Sequence, residues 1–126
     1  MITDRRRFLS RMSTLTGAAM VAPAWAFSSV PASGNRKKVA FLGTEVREHS
    51  HAQHFLDRLT LGYGWRGSWQ APRVDVASVY LDQFPESDLG RGRVKRHGLN
   101  LYPSIKEALT LGTGKLAVDG VVIIAE

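Results

Sequence analysis

The stretch Lys38-Val39-Ala40-Phe41-Leu42-Gly43, continued by Thr44-Glu45-Val46-Arg47-Glu48-His49-Ser50-His51-Ala52, changes its period in the middle. Its first part is a short apolar run with no polar face, which predicts a buried parallel strand ending at Gly43. From about Ser50 the spacing turns helical. Ala52, Phe55 and Leu59 fall on one face, with Asp57 and Arg58 turned away. A strand that passes directly into a helix is the opening of a strand–helix–strand unit, and the rest of the chain follows the same alternation.

Downstream, Leu61 to Arg73 (LGYGWRGSWQAPR) holds three glycines, a proline and two tryptophans, and reads as an ordered loop. Packing of Trp65 and Trp69 over a core edge is the expected role, with ligand contact the alternative. Val74 to Leu81 (VDVASVYL) predicts the second strand, with Asp82 immediately after it. Asp88 is placed to cap a helix running to His97, and Gly98 to end it. Leu99 to Tyr102 predicts a short third strand. Ser104 caps a helix from Ile105 to Leu111, which Gly112 and Gly114 interrupt. Val118 to Ala125 is the most apolar run and predicts the fourth strand. The expected fold is α/β, a Rossmann-like three-layer parallel sheet. A strand as apolar as the fourth belongs in the middle of a sheet. Doubly wound sheets have about five or six strands. The expectation is therefore an N-terminal part of a longer protein, cut after about four strands.

Upstream lies a different kind of segment. Arg5, Arg6, Arg7 and Arg11 precede a weakly apolar stretch from Met12 to Ala24, and Ala24-Trp25-Ala26 has small residues where a signal peptidase reads. Arg5-Arg6-Arg7-Phe8-Leu9 resembles the twin-arginine motif, with Arg5, Arg6, Phe8 and Leu9 on its specified positions. A basic arm or amphipathic helix is the alternative. Residues 1–26 are thus expected to be a twin-arginine signal peptide cleaved after Ala26. Residues 27–36 are expected to be a flexible lead-in, and 37–126 a partial nucleotide-binding domain. The protein would be periplasmic or otherwise extracytoplasmic, with the Tat translocase as its partner during export.

The 126 residues carry 17 Lys+Arg and 11 Asp+Glu, a formal net charge of +6. Half of that excess sits in residues 1–26. The remaining positive cluster (Arg91, Arg93, Lys95, Arg96) has Glu86 and Asp88 nearby and reads as a solvated helix face, so nucleic acid is not expected. There are no cysteines, which excludes disulfides, thiol catalysis and Cys-ligated metals. No apolar run is long enough for a stable membrane span.

The turn from Gly43 holds the first glycine of a G-x-G-x-x-G dinucleotide motif, and Glu45 and Glu48 fill the second and third glycine places. From about Lys37 to Glu126 the chain resembles the N-terminal half-domain of the glucose–fructose oxidoreductase / inositol dehydrogenase (Gfo/Idh/MocA) family. The residues that carry the likeness are Val39 to Leu42, Gly43, His51-Ala52 with Phe55, and the strand ending at Asp82. Arg96-His97-Gly98, Leu101-Tyr102-Pro103-Ser104, Ala108-Leu109 and Asp119-Gly120-Val121-Val122-Ile123-Ile124 complete it. Twin-arginine signals occur in an exported subgroup of that family. The resemblance implies an NAD(P)-dependent oxidoreductase that passes hydride between the nicotinamide and a sugar or polyol. It implies Gly43, Thr44 and Glu45 near the pyrophosphate, Asp82 on the adenosine ribose, and Ala125 and Glu126 at the start of the loop near the nicotinamide. A carboxylate at 82 favours NAD over NADP, because it repels a 2′-phosphate. The family's catalytic lysine and histidine lie later than Glu126, so no catalytic residue is assigned. A homo-oligomer is compatible with the resemblance.

The departure is at the turn. A carboxylate at 45 or 48 beside a pyrophosphate, at about 4–5 Å, costs on the order of 1–4 kcal/mol. Arg47 is placed to compensate by bridging to the phosphate or to Glu48. A degenerate Rossmann-type binding or interaction protein that has lost the dinucleotide is therefore the alternative function. Asp82 could equally be a strand-end residue capping a turn, and Glu45 a surface residue. His49, His51 and His54 are spaced so that a metal site is conceivable, but none is expected.

Overall fold

The computed structural model describes residues 36–126. The signal motif at Arg5, Arg6, Phe8 and Leu9, the cleavage site at Ala24 and Ala26, and nearly all of the lead-in lie outside the described residues. Eight elements follow in order: β1 (Lys37–Gly43), α1 (His51–Leu61), β2 (Tyr63–Trp65), β3 (Ser68–Gln70), β4 (Val74–Leu81), α2 (Gly90–His97), α3 (Ile105–Thr110) and β5 (Gly120–Ile124).

β1 is central in a three-stranded parallel sheet of order β4-β1-β5. Its neighbours are in register from Lys37 opposite Val74 to Gly43 opposite Leu81, and from Val39 opposite Gly120 to Gly43 opposite Ile124. The register against β4 shifts between Val39 and Ala40, so that Ala77 is an extra residue on β4. Val39 to Gly43 are buried, as a run apolar on both faces requires. Phe41 points into a cluster with Ala52 and Leu56 of α1, Val79 and Leu81 of β4, and Val46; Val94 of α2 packs against it. Ala40 and Leu42 point the opposite way, against Ala108 of α3, with Tyr80 and Tyr102 beside them. Helices therefore cover both faces of the sheet. Ser78, buried in β4, ties it to α3 by donating from its Oγ to the Ala108 carbonyl at 2.7 Å.

Local signals account for the helix ends. Ser50 accepts the Gln53 N–H of α1 on its Oγ at 3.1 Å, and Ser104 accepts the Glu107 N–H of α3 at 3.2 Å. Asp88 takes the Gly90 and Arg91 N–H groups of α2 on its carboxylate, although Leu89 stands between it and the helix. Gly98 closes α2.

Six expectations need correction. Leu61 to Arg73 is not a loop throughout: β2 and β3 pair antiparallel, closed by Arg66 (φ 48°) and Gly67 (φ 77°). Two successive positive φ values give the turn the twist that a two-residue hairpin needs. Trp65 and Trp69 do not cover a core edge; they are 59% and 66% exposed. The third strand is reduced to one bridge, Val79 to Leu101, because Pro103 follows with no N–H to extend the ladder. β5 is an edge strand among the described residues. Val122 and Ile124 pack towards the Phe41 cluster, whereas Val121 and Ile123 are exposed, since α3 packs on β1 and β4 instead. Asp57 is not turned to solvent: Arg93 of α2 grips it with Nε and Nη2 at 2.6 and 2.9 Å. Leu56, at four residues from Ala52, takes the buried place given above to Phe55, which is 44% exposed. No helix among the described residues is long and apolar enough to cross a membrane.

Candidate functional site

The chain lays β4, and beyond it Leu101, on one side of β1, and β5 on the other. The C-terminal ends of β4, β1 and β5 therefore meet where the winding reverses, which is where α/β sheets open a crevice. Gly43 sits at that point. A Cβ there would stand 3.1 Å from Leu81 Cδ2 and 3.2 Å from Phe41 Cε1. Close packing of strand ends, rather than an unusual φ, is what a side chain would disturb. Thr44 donates its N–H to the Ile124 carbonyl at 3.2 Å, and its carbonyl accepts the Gln83 N–H at 2.8 Å. The turn is thus fastened to both neighbouring strands.

Two clefts open along this edge. One, of about 250 Å³, is lined by Gly43, Thr44, Tyr80, Asp82, Ile105 and Ile123, among others. The second, of about 360 Å³, shares Tyr80 and Asp82 and is walled by Phe84, Leu101 and Tyr102. Asp82 stands where they adjoin. Tyr80 donates from its Oη to Asp82 Oδ1 at 2.9 Å, and that hydrogen bond to the carboxylate raises the Tyr80 hydroxyl above its ordinary value of 10.0. No protein group donates to Asp82 Oδ2 among the described residues. An exposed carboxylate oxygen between two apolar-walled clefts is an acceptor suited to ligand hydroxyls.

The start of α1 is arranged differently. A helix N-terminus offers unpaired N–H groups and a partial positive charge, the usual seat of a phosphate. Here the protein's own acceptors occupy several of those donors, with His51 and Gln53 of the first turn among them. Arg47 N and Gln53 N go to Ser50 Oγ, at 3.3 and 3.1 Å. His49 N goes to Gln53 Oε1 at 2.6 Å. His51 N goes to Glu126 Oε1 at 2.7 Å, and His51 Nδ1 lies 2.5 Å from the same oxygen. A carboxylate can only accept, so Nδ1 carries the proton in this pair. The Glu126 N–H is held by Thr44 Oγ1 at 3.3 Å, and the Glu126 side chain is only 15% exposed. The His51 N–H holds the Glu126 carboxyl below its ordinary value of 4.5, against a smaller opposing effect of desolvation. Glu45, in the turn, is paired to Arg47 Nε at 2.6 Å.

The structure brings Gly43, Thr44 and Asp82 to one cleft, as the turn and strand order suggest, and Ala125 lines it too. Glu45 is taken by Arg47, which bridges to it and not to Glu48; Glu48 instead lies 3.6 Å from His49 Nε2. Glu126 turns away from the cleft towards α1. The three histidines of the turn and helix do not converge, and no group of three His, Cys, Asp or Glu side chains among the described residues is placed to hold a metal. Of the positive cluster, Arg91 is tied to Asp88 at 3.0 Å and Arg93 to Asp57. Sequence reasoning missed Tyr80, although its place two residues before Asp82 puts both side chains on one side of the strand. It also missed the His51–Glu126 contact, for which no local signal exists.

A dinucleotide fits this edge at one end only. Asp82 and the adjoining clefts suit a ribose. At the pyrophosphate place the His51 and Gln53 donors of the first turn are filled by protein, and two carboxylates stand beside them. No protein-family model matches the chain, and comparison with curated proteins and with solved structures gives no match.

Proposed function

We propose that this chain is a Rossmann-type domain of an exported protein that binds a small molecule at Asp82 and no longer holds a dinucleotide. The observation that supports this reading is the Glu126 carboxylate on the first N–H of α1. It supplies internally the negative charge that a pyrophosphate would bring. The twin-arginine pattern at Arg5, Arg6, Phe8 and Leu9 supports a periplasmic or other extracytoplasmic location, reached through the Tat translocase.

The second reading is the nucleotide-binding part of a Gfo/Idh/MocA-like oxidoreductase. It would transfer hydride between NAD(P), with NAD favoured, and a sugar or polyol. The observation in its favour is the order Leu101–β4–β1–β5, which has the 3-2-1-4 arrangement of part of a 3-2-1-4-5-6 sheet and sets Asp82 at the end of its second strand. Titration of the full chain with NAD(H), read by calorimetry, separates the two. No saturable binding up to millimolar cofactor is expected. Saturation at micromolar NAD(H), lost in Asp82→Asn, would overturn the first reading in favour of the second.

A further inference from the structure

The misfit at the start of α1 carries a statement about ligand class, which rests on the binding reading above. Glu126 does at α1 what a phosphate oxygen does in a dinucleotide site: it accepts the first helical N–H and lies against the positive end of the helix. It is not a stray surface group. Its backbone is held by Thr44 Oγ1, its oxygen is shared by two His51 donors, and its side chain is largely covered. Glu45 adds a second carboxylate, bound to Arg47, so the one cation of the turn is already engaged. Thr44 and Ala125, the residues immediately before these two glutamates, line the cleft. A ligand phosphate carried beyond the cleft would meet two carboxylates and find the His51 and Gln53 donors of the first turn taken. Hydroxyls meet no such obstacle at Asp82.

We infer that Glu126, with Glu45, is an internal stand-in for a ligand phosphate, and that the cleft at Asp82 selects a neutral polyhydroxyl ligand over its phosphorylated counterpart. A vicinal diol can donate two hydrogen bonds to the Asp82 carboxylate, and the apolar walls formed by Ile105, Ile123 and Tyr102 suit the carbon face of a ring. A nucleoside and a free sugar share this chemistry. Repulsion of the phosphate, and not shape, sets the preference.

The test is calorimetric titration of the full chain with adenosine, glucose and ADP-ribose. Adenosine is expected to bind, since it carries the vicinal diol, and glucose is expected to bind as well if the diol alone is read. ADP-ribose is expected to bind at least about tenfold more weakly than adenosine or not at all, since one screened charge contact is of that order. Glu45→Gln and Glu126→Gln, singly and together, should raise the ratio of ADP-ribose to adenosine affinity by about tenfold or more. Both variants keep the side-chain length. In the unaltered chain the same ratio should rise as salt goes from about 0.05 to about 0.5 M, because screening weakens the repulsion. Tighter binding of ADP-ribose than of adenosine by the unaltered chain would overturn the selectivity while leaving the cleft a binding site. So would a ratio that neither substitution nor salt moves. If none of the three probes binds, the binding reading itself falls, and this inference with it.

Discussion

Replacing Gly62 with alanine should be one of the most damaging single-methyl changes in the fold. Gly62 caps α1 with φ 95° and ψ −167°, a conformation that only glycine adopts readily, and its N–H still bonds the Arg58 carbonyl. Holding another residue there costs about 1–3 kcal/mol. The new Cβ would also lie 2.2 Å from the Gln70 carbonyl oxygen and 3.0 Å from Trp69 Nε1. The first of these is backbone and cannot swing aside, and that clash adds about 1–3 kcal/mol. Relief would require moving β3 away from the end of α1, breaking the bond from Trp69 Nε1 to the Leu61 carbonyl. The total is about 2–6 kcal/mol, or a fall in Tm of about 8 °C or more for a domain of this size. Urea unfolding followed by far-ultraviolet circular dichroism measures it. Gly64→Ala is the control: nothing lies within 4 Å of a Cβ at that position and its φ is not positive. Its effect should stay within about 0.5 kcal/mol. A loss below about 1 kcal/mol for Gly62→Ala, or equal losses for both, would refute the reasoning from backbone conformation and the Gln70 carbonyl.

Other substitutions read other parts of the fold. Leu56→Ala removes a fully buried side chain between α1 and the sheet and should cost about 2–5 kcal/mol by the same urea assay. Asp57→Ala strips Arg93 of its fork and should cost about 1–2 kcal/mol, discounted for the partial exposure of both side chains; a cost no larger than that of Lys95→Ala would sink the idea of a specific pair. Acid should destabilise the fold through that pair. Burial works against ionisation of Asp57, but the Arg93 hydrogen bonds and charge outweigh it and hold the carboxyl below its ordinary value of 3.8. A carboxyl whose folded value lies below its unfolded one contributes stability that is present above the unfolded value and lost as pH falls through the folded one. The urea midpoint should therefore hold steady down to about pH 4 and decline below it, and the decline should be shallower in Asp57→Asn. A midpoint equally acid-sensitive in that variant would assign the loss elsewhere, for instance to Asp119, which the Lys38 N–H also holds below its ordinary value.

Most of the elements are legible in the chain because their causes are local. Ser50 and Ser104 cap the helices that begin beside them, and Gly98 ends one. The β-branched run from Val74 to Leu81 forms the strand it predicts, and Gly43 and Asp82 end neighbouring strands. The hairpin at Tyr63 to Gln70 was less legible. Its three-residue strands are too short for alternation to register, and its turn uses Arg66 where asparagine or glycine would have signalled it. Val118 to Ala125 misled in another way. Apolar composition states what a strand could bury, not how much of it its neighbours cover, and Ile123 is 68% exposed.

By itself the sequence determined the alternation of strands and helices, the twin-arginine pattern, and the three residues Gly43, Thr44 and Asp82 that meet at one edge. Periodicity and capping act within a few residues, so they can be read along the chain. The tertiary structure alone decided what happens to the negative charges. Glu126 reaches His51 across 75 positions, Arg93 reaches Asp57 across 36, and Arg47 takes Glu45 rather than Glu48. Such pairings depend on which strand ends the winding brings together, and on which donors the caps have already used. Neither is written in the spacing of any one segment. That is why a turn that reads as a damaged dinucleotide motif becomes, once folded, an edge that carries its own anion and leaves Asp82 open.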